Sequence, residues 1–293
     1  MKEDDIRPAP LLDQFFALLK KDAERLAQRR GEFILVSCPA CGASPMQSEL
    51  AFNKDGFDYR VCGECESMFV SPRPASGLLA DYAINAEAVK FWSTHFYKQT
   101  AEARREKIFR PRAQLVAELT VKGWVENPQQ FVDVGAGYGL FLQEIAALNV
   151  FPHLVGIEPD SRLAQICREQ GFDIVEKWVE EMREGEVDAD FAAAFEVLEH
   201  VFDLRAFLEA CVRLLKPGGV FLFTTLTISG FDLQALWSHS RSISPPQHLN
   251  FLSIKGAEIL IERCGLEVIE ISNPGQLDVD IVRNMLTANP DLD

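Results

Sequence analysis

Apolar residues at Leu11, Leu12, Phe15, Phe16, Leu19, Ala23 and Leu26 fall on one face at helical spacing and predict an amphipathic helix over 11–30. Arg29-Arg30-Gly31 supplies a basic last turn and a terminator. From Ile34 to Pro74 this periodicity gives way to cysteines, glycines, prolines and short β-like runs such as Phe57–Val61. Helical spacing returns over 77–120. Beyond residue 128 the pattern becomes strand, turn and helix, repeated. Phe131–Val134, Leu154–Ile157, Phe172–Val175, Phe191–Phe195 and Val220–Thr225 are short apolar runs of the kind buried on both faces of a sheet. Helical patterns at Leu140–Leu148, Arg162–Gln170 and Leu204–Leu215 separate them, and Gly171 and Lys216-Pro217-Gly218-Gly219 punctuate helix ends. Such alternation predicts an α/β fold, a doubly wound parallel sheet covered by helices. The tail adds a predicted helix at Lys255–Cys264 and a strand at Leu266–Ile271. Leu277–Ile281 reads as an edge strand, weak or missing, and Val282–Leu286 as helix.

The 293 residues suffice for two domains at about 150 residues each. Four segments are expected: an N-terminal helix (1–33), a cysteine-rich ribbon (34–75), a helical linker or lid (76–125) and the α/β core (126–293). With 47 % apolar and 25 % charged residues the composition is that of a globular protein with a real core, which excludes a disordered or disulfide-stapled chain. The net charge of −15 repels phosphate backbones, so the default partner is not a nucleic acid. Residues 133–200 carry four Lys and Arg against 15 Asp and Glu. The start Met1-Lys2-Glu3-Asp4-Asp5 has no signal-peptide character, and no run approaches the ~18 apolar residues of a membrane span. A cytoplasmic location without membrane contact is expected, and there cysteines serve metals more often than disulfides.

Cys38-Pro39-Ala40-Cys41 and Cys62-Gly63-Glu64-Cys65 are two CxxC knuckles with 20 residues between them. A two-residue spacer aims both thiolates of a turn at one point, and two such turns complete a tetrahedron around Zn2+. Four thiolates close the shell, so the predicted zinc is structural. Gly42 and Gly63 suit the tight backbone. The competing reading is four buried thiols or a redox pair. Cys167, Cys211 and Cys264 lie at helical spacing and are read as core.

Phe131-Val132-Asp133-Val134-Gly135-Ala136-Gly137-Tyr138-Gly139 places a glycine-rich turn between a strand and a helix. Glycines let the chain turn sharply and let a ligand approach the backbone. Glu158 ends the next strand with a carboxylate suited to ribose hydroxyls. Three features sharpen this pattern: Asp133 before the glycines, Phe191–Val201 at the fourth strand, and Leu215-Lys216-Pro217-Gly218-Gly219-Val220 before the fifth. With them, residues 100–272 resemble the class I S-adenosylmethionine-dependent methyltransferases. The resemblance implies a Rossmann-like sheet with S-adenosyl-L-methionine over the ends of its first four strands. It implies that Asp133, Gly135, Ala136, Gly137 and Gly139 surround the methionine part. Glu158 would hold the ribose, Trp178 and Val179 would flank the adenine, and Phe195 and Glu196 would line the methyl end.

Two histidines are the candidate catalytic residues. His200 closes Glu196-Val197-Leu198-Glu199-His200, which is similar to the quinone-biosynthesis O-methyltransferases, whose Glu-x-x-Glu-His can bind a divalent metal. The other reading is that Glu199 and His200 brace the loop. His248 lies in Ser244-Pro245-Pro246-Gln247-His248, a loop that covers the acceptor in this fold, and is the candidate base. The paired CxxC, the run Phe69–Pro74 and this loop look like the sugar C-methyltransferases and related small-molecule methyltransferases. Where those sugar enzymes carry Glu-His, this chain has Gln247-His248. The expected reaction is C- or O-methylation of a small-molecule acceptor, such as a nucleotide-linked sugar or glycan precursor. Its phosphates are expected to meet Arg73 or the arginines of 104–112. The alternatives are a zinc-ribbon RNA methyltransferase, using the basic cluster over 98–112, and a non-catalytic methyltransferase-like partner protein.

Overall fold

The computed structural model describes residues 2–275 and 277–291. Among them the strands, in chain order, are β1 (Phe33–Ile34), β2 (Ser48–Lys54), β3 (Phe57–Cys62), β4 (Met68–Val70), β5 (Arg73–Pro74), β6 (Gln130–Val134), β7 (His153–Ile157), β8 (Asp173–Val175), β9 (Ala189–Phe195), β10 (Leu215–Thr224) and β11 (Asn250–Phe251). The chain forms two compact units. One comprises Met1–Thr100, Glu199–Leu204 and Thr225–Asp293, and the other Ala101–Leu198 and Arg205–Thr224. No helix among the described residues is long and apolar enough to cross a membrane.

The second unit holds the parallel sheet, in the order β10-β9-β6-β7-β8. The strand order reverses between β6 and β9, the switch point at which open α/β sheets bind ligands beyond the carboxyl ends of their strands. Phe131 and Phe191 are fully buried with ring centres 5.9 Å apart, and Phe141 and Phe151 pack on them from the connections. Each such ring contributes about 1.5–3 kcal/mol by leaving water. β10 starts earlier than predicted: the Lys216–Gly219 stretch is part of it, with a register break between Leu215 and Val220.

The first unit is built around an antiparallel sheet, β11-β4-β3-β2. The helix Ala9–Ala27 covers it, burying Leu12, Phe15, Leu19, Ala23 and Leu26 as its spacing predicts. β11 explains why this unit is discontinuous in sequence: Asn250 and Phe251 pair with Phe69 and Met68, so a late segment completes the early sheet. The helix Ile254–Arg263 follows directly, and Gly256 is required there because a Cβ would lie 2.0 Å from Ser67 Oγ.

Two expectations fail here and a third holds. Leu266–Ile271 forms no strand, while the edge strand expected to be weak or missing at Leu277–Ile281 is indeed missing, those residues entering a helix, Asp278–Ala288. The latter buries only Ile281 and Val282, against Leu236, and a helical spacing of apolar positions outweighs the local alternation. Arg73 is no phosphate ligand. It is fully buried, and its guanidinium donates to the Val70 and Phe202 carbonyls and to Asn250 Oδ1.

Candidate active site and metal centre

In the parallel-sheet unit the predicted cofactor residues converge on the carboxyl ends of four strands. After β6 the chain turns back at once: the Gly135 and Ala136 N–H groups donate to the Ile157 carbonyl at the end of β7. Gly135, Gly137 and Gly139 all take left-handed φ angles, of 81°, 55° and 71°. A Cβ on Gly135 would press on Val197 at 3.0 Å, whereas one on Gly137 would meet nothing nearer than 4.0 Å, so the turn presents bare backbone to open space. Glu158 is buried and accepts from the Gly137 N–H at 2.8 Å and the Asp160 N–H at 2.9 Å. Cys167, read as core, also serves the turn by donating to the Gly137 carbonyl at 3.2 Å.

Asp133 and Glu158 are both buried acids. Burial, and then the neighbouring Glu158 charge, push the Asp133 carboxyl up to about 7. Burial also raises Glu158, against the pull of its two backbone N–H donors. Two buried carboxylates beside an open glycine turn suit a cationic amine and a pair of ribose hydroxyls, so this donor set fits S-adenosylmethionine. Val179 is buried after β8, while Trp178 is about one-third exposed and its N–H donates to Glu181. Phe195 lies under the Arg112 guanidinium at 4.7 Å. Glu196, also at a left-handed φ, accepts from Arg112 at 2.6 Å and Thr224 Oγ1 at 2.7 Å.

Those arginine contacts alter the reading of the basic cluster. Arg105 and Arg110 both bond Glu144, the latter at 3.0 Å. Burial opposes ionisation of Glu144, yet the two arginines hold its carboxyl below the ordinary range. With Arg112 on Glu196, three arginines of 104–112 are engaged inside their own unit rather than offered to phosphate.

In the other unit Glu199, His200 and His248 place a ligand atom each within 4.8 Å of one another. His200 Nδ1 donates to the Gln247 carbonyl at 2.8 Å, and His248 Nδ1 donates to the Ser242 carbonyl at 2.7 Å with Ser244 Oγ at 2.8 Å. A carbonyl can only accept, so each ring carries a proton on Nδ1 and turns Nε2 away from that contact. Position 247 acts through its backbone, which makes the Gln-for-Glu exchange irrelevant to this contact. Glu199 is buried and accepts from Thr225 Oγ1 at 2.9 Å, and Tyr59 Oη holds the His248 carbonyl at 2.9 Å. The metal-capable set thus draws on His248, whereas Glu196 of the Glu-x-x-Glu-His run is tied to Arg112 and Thr224. Thr225, Ser242, Ser244 and Tyr59 carried no signal in sequence, because only the folded chain brings them to the rings.

The four cysteines cluster within the same unit, with Cys38 and Cys65 Sγ 3.5 Å apart and Cys41 and Cys62 Sγ 3.6 Å apart. Zinc with bonds of about 2.3 Å spaces its sulfurs by roughly 3.8 Å, so the cluster fits that ion. The proton shared with Cys65 and then burial push the Cys38 thiol up, and Cys65 falls to about 4. Gly42 has the left-handed φ expected after the first knuckle, but in the second that place belongs to Glu66 rather than Gly63. Gly63 is needed for space, since a Cβ would meet the Gln47 carbonyl at 3.0 Å. Lys255, Ser253 and Arg263 donate to the Glu64, Cys65 and Ala40 carbonyls, so the helix Ile254–Arg263 braces both knuckles.

A parallel sheet of order β10-β9-β6-β7-β8 with an acid-flanked glycine turn at its switch point defines a Rossmann-like fold of the class I methyltransferase type. The chain belongs to the methyltransferase-domain family, whose profile matches residues 100–271, more than half its length. It is 31 % identical over 158 residues to the human mitochondrial ubiquinone biosynthesis O-methyltransferase, covering 47 % of this chain and 42 % of that one. With the Rhodopseudomonas palustris ubiquinone biosynthesis O-methyltransferase it shares 28 % identity, covering 54 % and 69 %. The chain spans less than half the length of the human relative. Among solved structures it is similar to CalS10, an amino pentose methyltransferase from Micromonospora echinaspora, at 25 % identity and a TM-score of 0.38 over 43 % of this chain and 54 % of that one. Streptomyces venezuelae DesVI matches at 18 % identity and a TM-score of 0.40 over 44 % and 56 %.

Proposed function

We propose that the chain moves a methyl group from S-adenosylmethionine to a small-molecule acceptor, a nucleotide-linked sugar or glycan precursor, at an oxygen or an acidic carbon. The observation that carries this reading is the imidazole pair His200 and His248 beside the buried Glu199, with both Nδ1–H groups fixed on backbone carbonyls. When bound, S-adenosylmethionine supplies an electrophilic methyl, which leaves the protein to orient the acceptor and remove its proton. His248 Nε2 takes that proton, and the Ser242 carbonyl steadies the imidazolium through Nδ1–H. His200 and the Glu199 carboxylate favour that charge. Asp133 receives the cofactor's ammonium, Glu158 its ribose, and Val179 and Trp178 its adenine. The cysteine cluster holds a structural zinc whose closed shell takes no part in the reaction.

A second reading has a specific observation behind it. Glu199, His200 and His248 also form a three-ligand set for a divalent cation, and the relatives named as ubiquinone biosynthesis O-methyltransferases favour a hydroxyl of a quinone precursor as the acceptor. Transfer of labelled methyl into a fractionated extract of the source organism tests both. Label in phosphorylated sugars supports the first reading, and label in an apolar phenol, lost on dialysis against a chelator, supports the second. Label in RNA would overturn both. Failure to bind S-adenosylhomocysteine by calorimetry would make the chain a non-catalytic partner protein.

A further inference from the structure

Near the His248 loop, within the same unit, lies a cavity of about 100 Å³. Lys20, Lys54, His239 and Arg241 line it, with Asp55 as the acid among the lining residues, in a chain whose net charge is −15. Lys54 is the central feature. It rises from the end of β2 and donates to the Ser238 and Ser240 carbonyls at 2.9 and 3.0 Å, which engages two of its three N–H groups. Burial pulls its ammonium down to about 8, with the Asp55 charge acting the other way. Its fixed partners are thus neutral carbonyls, and an anion in the cavity would offset the cost of burying the charge. Arg241 lines the same space, its guanidinium 5.7 Å from the Phe16 ring and 3.7 Å from the exposed Asp13. Ser244 lines the cavity and also touches His248 Nδ1, so the cavity and the candidate base share a residue.

We infer that this cavity is a phosphoryl-binding subsite, with Lys54 and Arg241 as its principal cations and the phosphoryl or diphosphoryl group of the acceptor as its ligand. The inference deepens the proposed function and rests on it in one respect, that the group belongs to the acceptor. It takes over the role that Arg73 and the arginines of 104–112, being engaged internally, do not fill. A point charge on a flexible stem and a planar guanidinium facing one small cavity are the combination that binds phosphate oxygens.

Calorimetry of the full chain with inorganic pyrophosphate, uridine diphosphate and inorganic phosphate, in about 0.1 M salt, tests the subsite. Submillimolar binding of the two diphosphates is expected, weakened about tenfold or more by Lys54→Met, which keeps most of the stem but not the charge. Should that variant fail to fold, Arg241→Gln combined with Lys20→Gln changes two surface-reaching side chains and must still weaken pyrophosphate severalfold. Tighter binding of uridine diphosphate than of pyrophosphate assigns the group to a nucleotide-linked acceptor. Equal affinity for the three anions would overturn that assignment in favour of a free anion. Absence of pyrophosphate binding, or binding unchanged in all the variants, overturns the subsite whatever the enzyme methylates. If the variants lose pyrophosphate while no phosphorylated sugar accepts methyl, the subsite stands and the acceptor reading fails.

Discussion

The two units of this chain build their chemistry in opposite ways. In the parallel-sheet unit every predicted cofactor residue lies near the carboxyl end of a strand or within a few positions after it, and the backbone does most of the holding: Ile157 bonds the turn, and the turn bonds Glu158. In the other unit the sites are assembled from remote segments. Tyr59 supports His248 across 189 positions, Lys54 meets Ser238 across 184, and Lys255 meets Glu64 across 191. A parallel sheet needs no such reach, because all its strands end on one edge and any residue just past a strand is delivered there. The antiparallel ribbon has no equivalent rule, so its chemistry depends on which distant loop returns to it.

The sharpest way to break this contrast is to remove the metal. If zinc organises the knuckles, it stabilises the ribbon by a large margin, since small zinc sites bind with apparent free energies of about 10–16 kcal/mol. The protein should carry one zinc ion per chain by elemental analysis, and Cys62→Ser should lose both the ion and the cooperative thermal transition of the first unit. Because Ser253, Lys255 and Arg263 all bond the knuckles, the helix Ile254–Arg263 should lose its hydrogen-exchange protection with them. Affinity for S-adenosylhomocysteine, which the proposed function assigns to residues of the other unit, should stay within about threefold. A variant that melts at the wild-type temperature would mean the cluster is four buried thiols.

Next in size is the base. His248→Ala should cut kcat by about 10²–10⁴ and leave S-adenosylhomocysteine affinity unchanged. Ser244→Ala should cost less, because the Ser242 carbonyl still fixes the tautomer. If His248→Ala retains more than about a third of kcat, the paired imidazoles merely brace the loop. Glu158 comes third. Glu158→Gln replaces a carboxylate that accepts from Gly137 and Asp160 with an amide whose NH2 must face one of those donors. Losing a charge-assisted bond of this kind costs about 1.5–3 kcal/mol, so cofactor affinity should fall roughly 10- to 100-fold by calorimetry.

How much of this was readable beforehand follows the same division. The helix over Ala9–Ala27, the five parallel strands and the knuckles were legible, because each is declared by spacing within a short window. The tail was not. Leu266–Ile271 has strand-like alternation but finds no partner strand, and a β pattern without a neighbour to bond has nothing to hold it. Arg73 misled for a related reason: an arginine after a strand looks like a phosphate ligand until β11 brings Asn250 against it. Lys54 gave no warning at all, since a lysine before a turn is ordinarily solvated. The arginines of 104–112 looked like a basic patch only because their acids, Glu144 and Glu196, lie many residues away.

The smallest effect bears on why the legible site is stable only in part without its ligand. Asp133 lies in the middle of the parallel sheet, where burial, and then the Glu158 charge, lift its carboxyl from 3.8 to about 7. An acid whose folded pKa is raised contributes its full stability below the unfolded value near 4. That contribution is lost as pH rises through about 7, where the folded protein must release the proton and bury the charge. Between pH 5.5 and 7 the ligand-free protein should therefore lose about 2 kcal/mol relative to Asp133→Asn, with little further change above pH 8. Urea unfolding of the two proteins across that range measures the gap. S-adenosylhomocysteine should close it by placing an ammonium against the carboxylate, and equal slopes with and without ligand would show that Asp133 only caps the glycine turn.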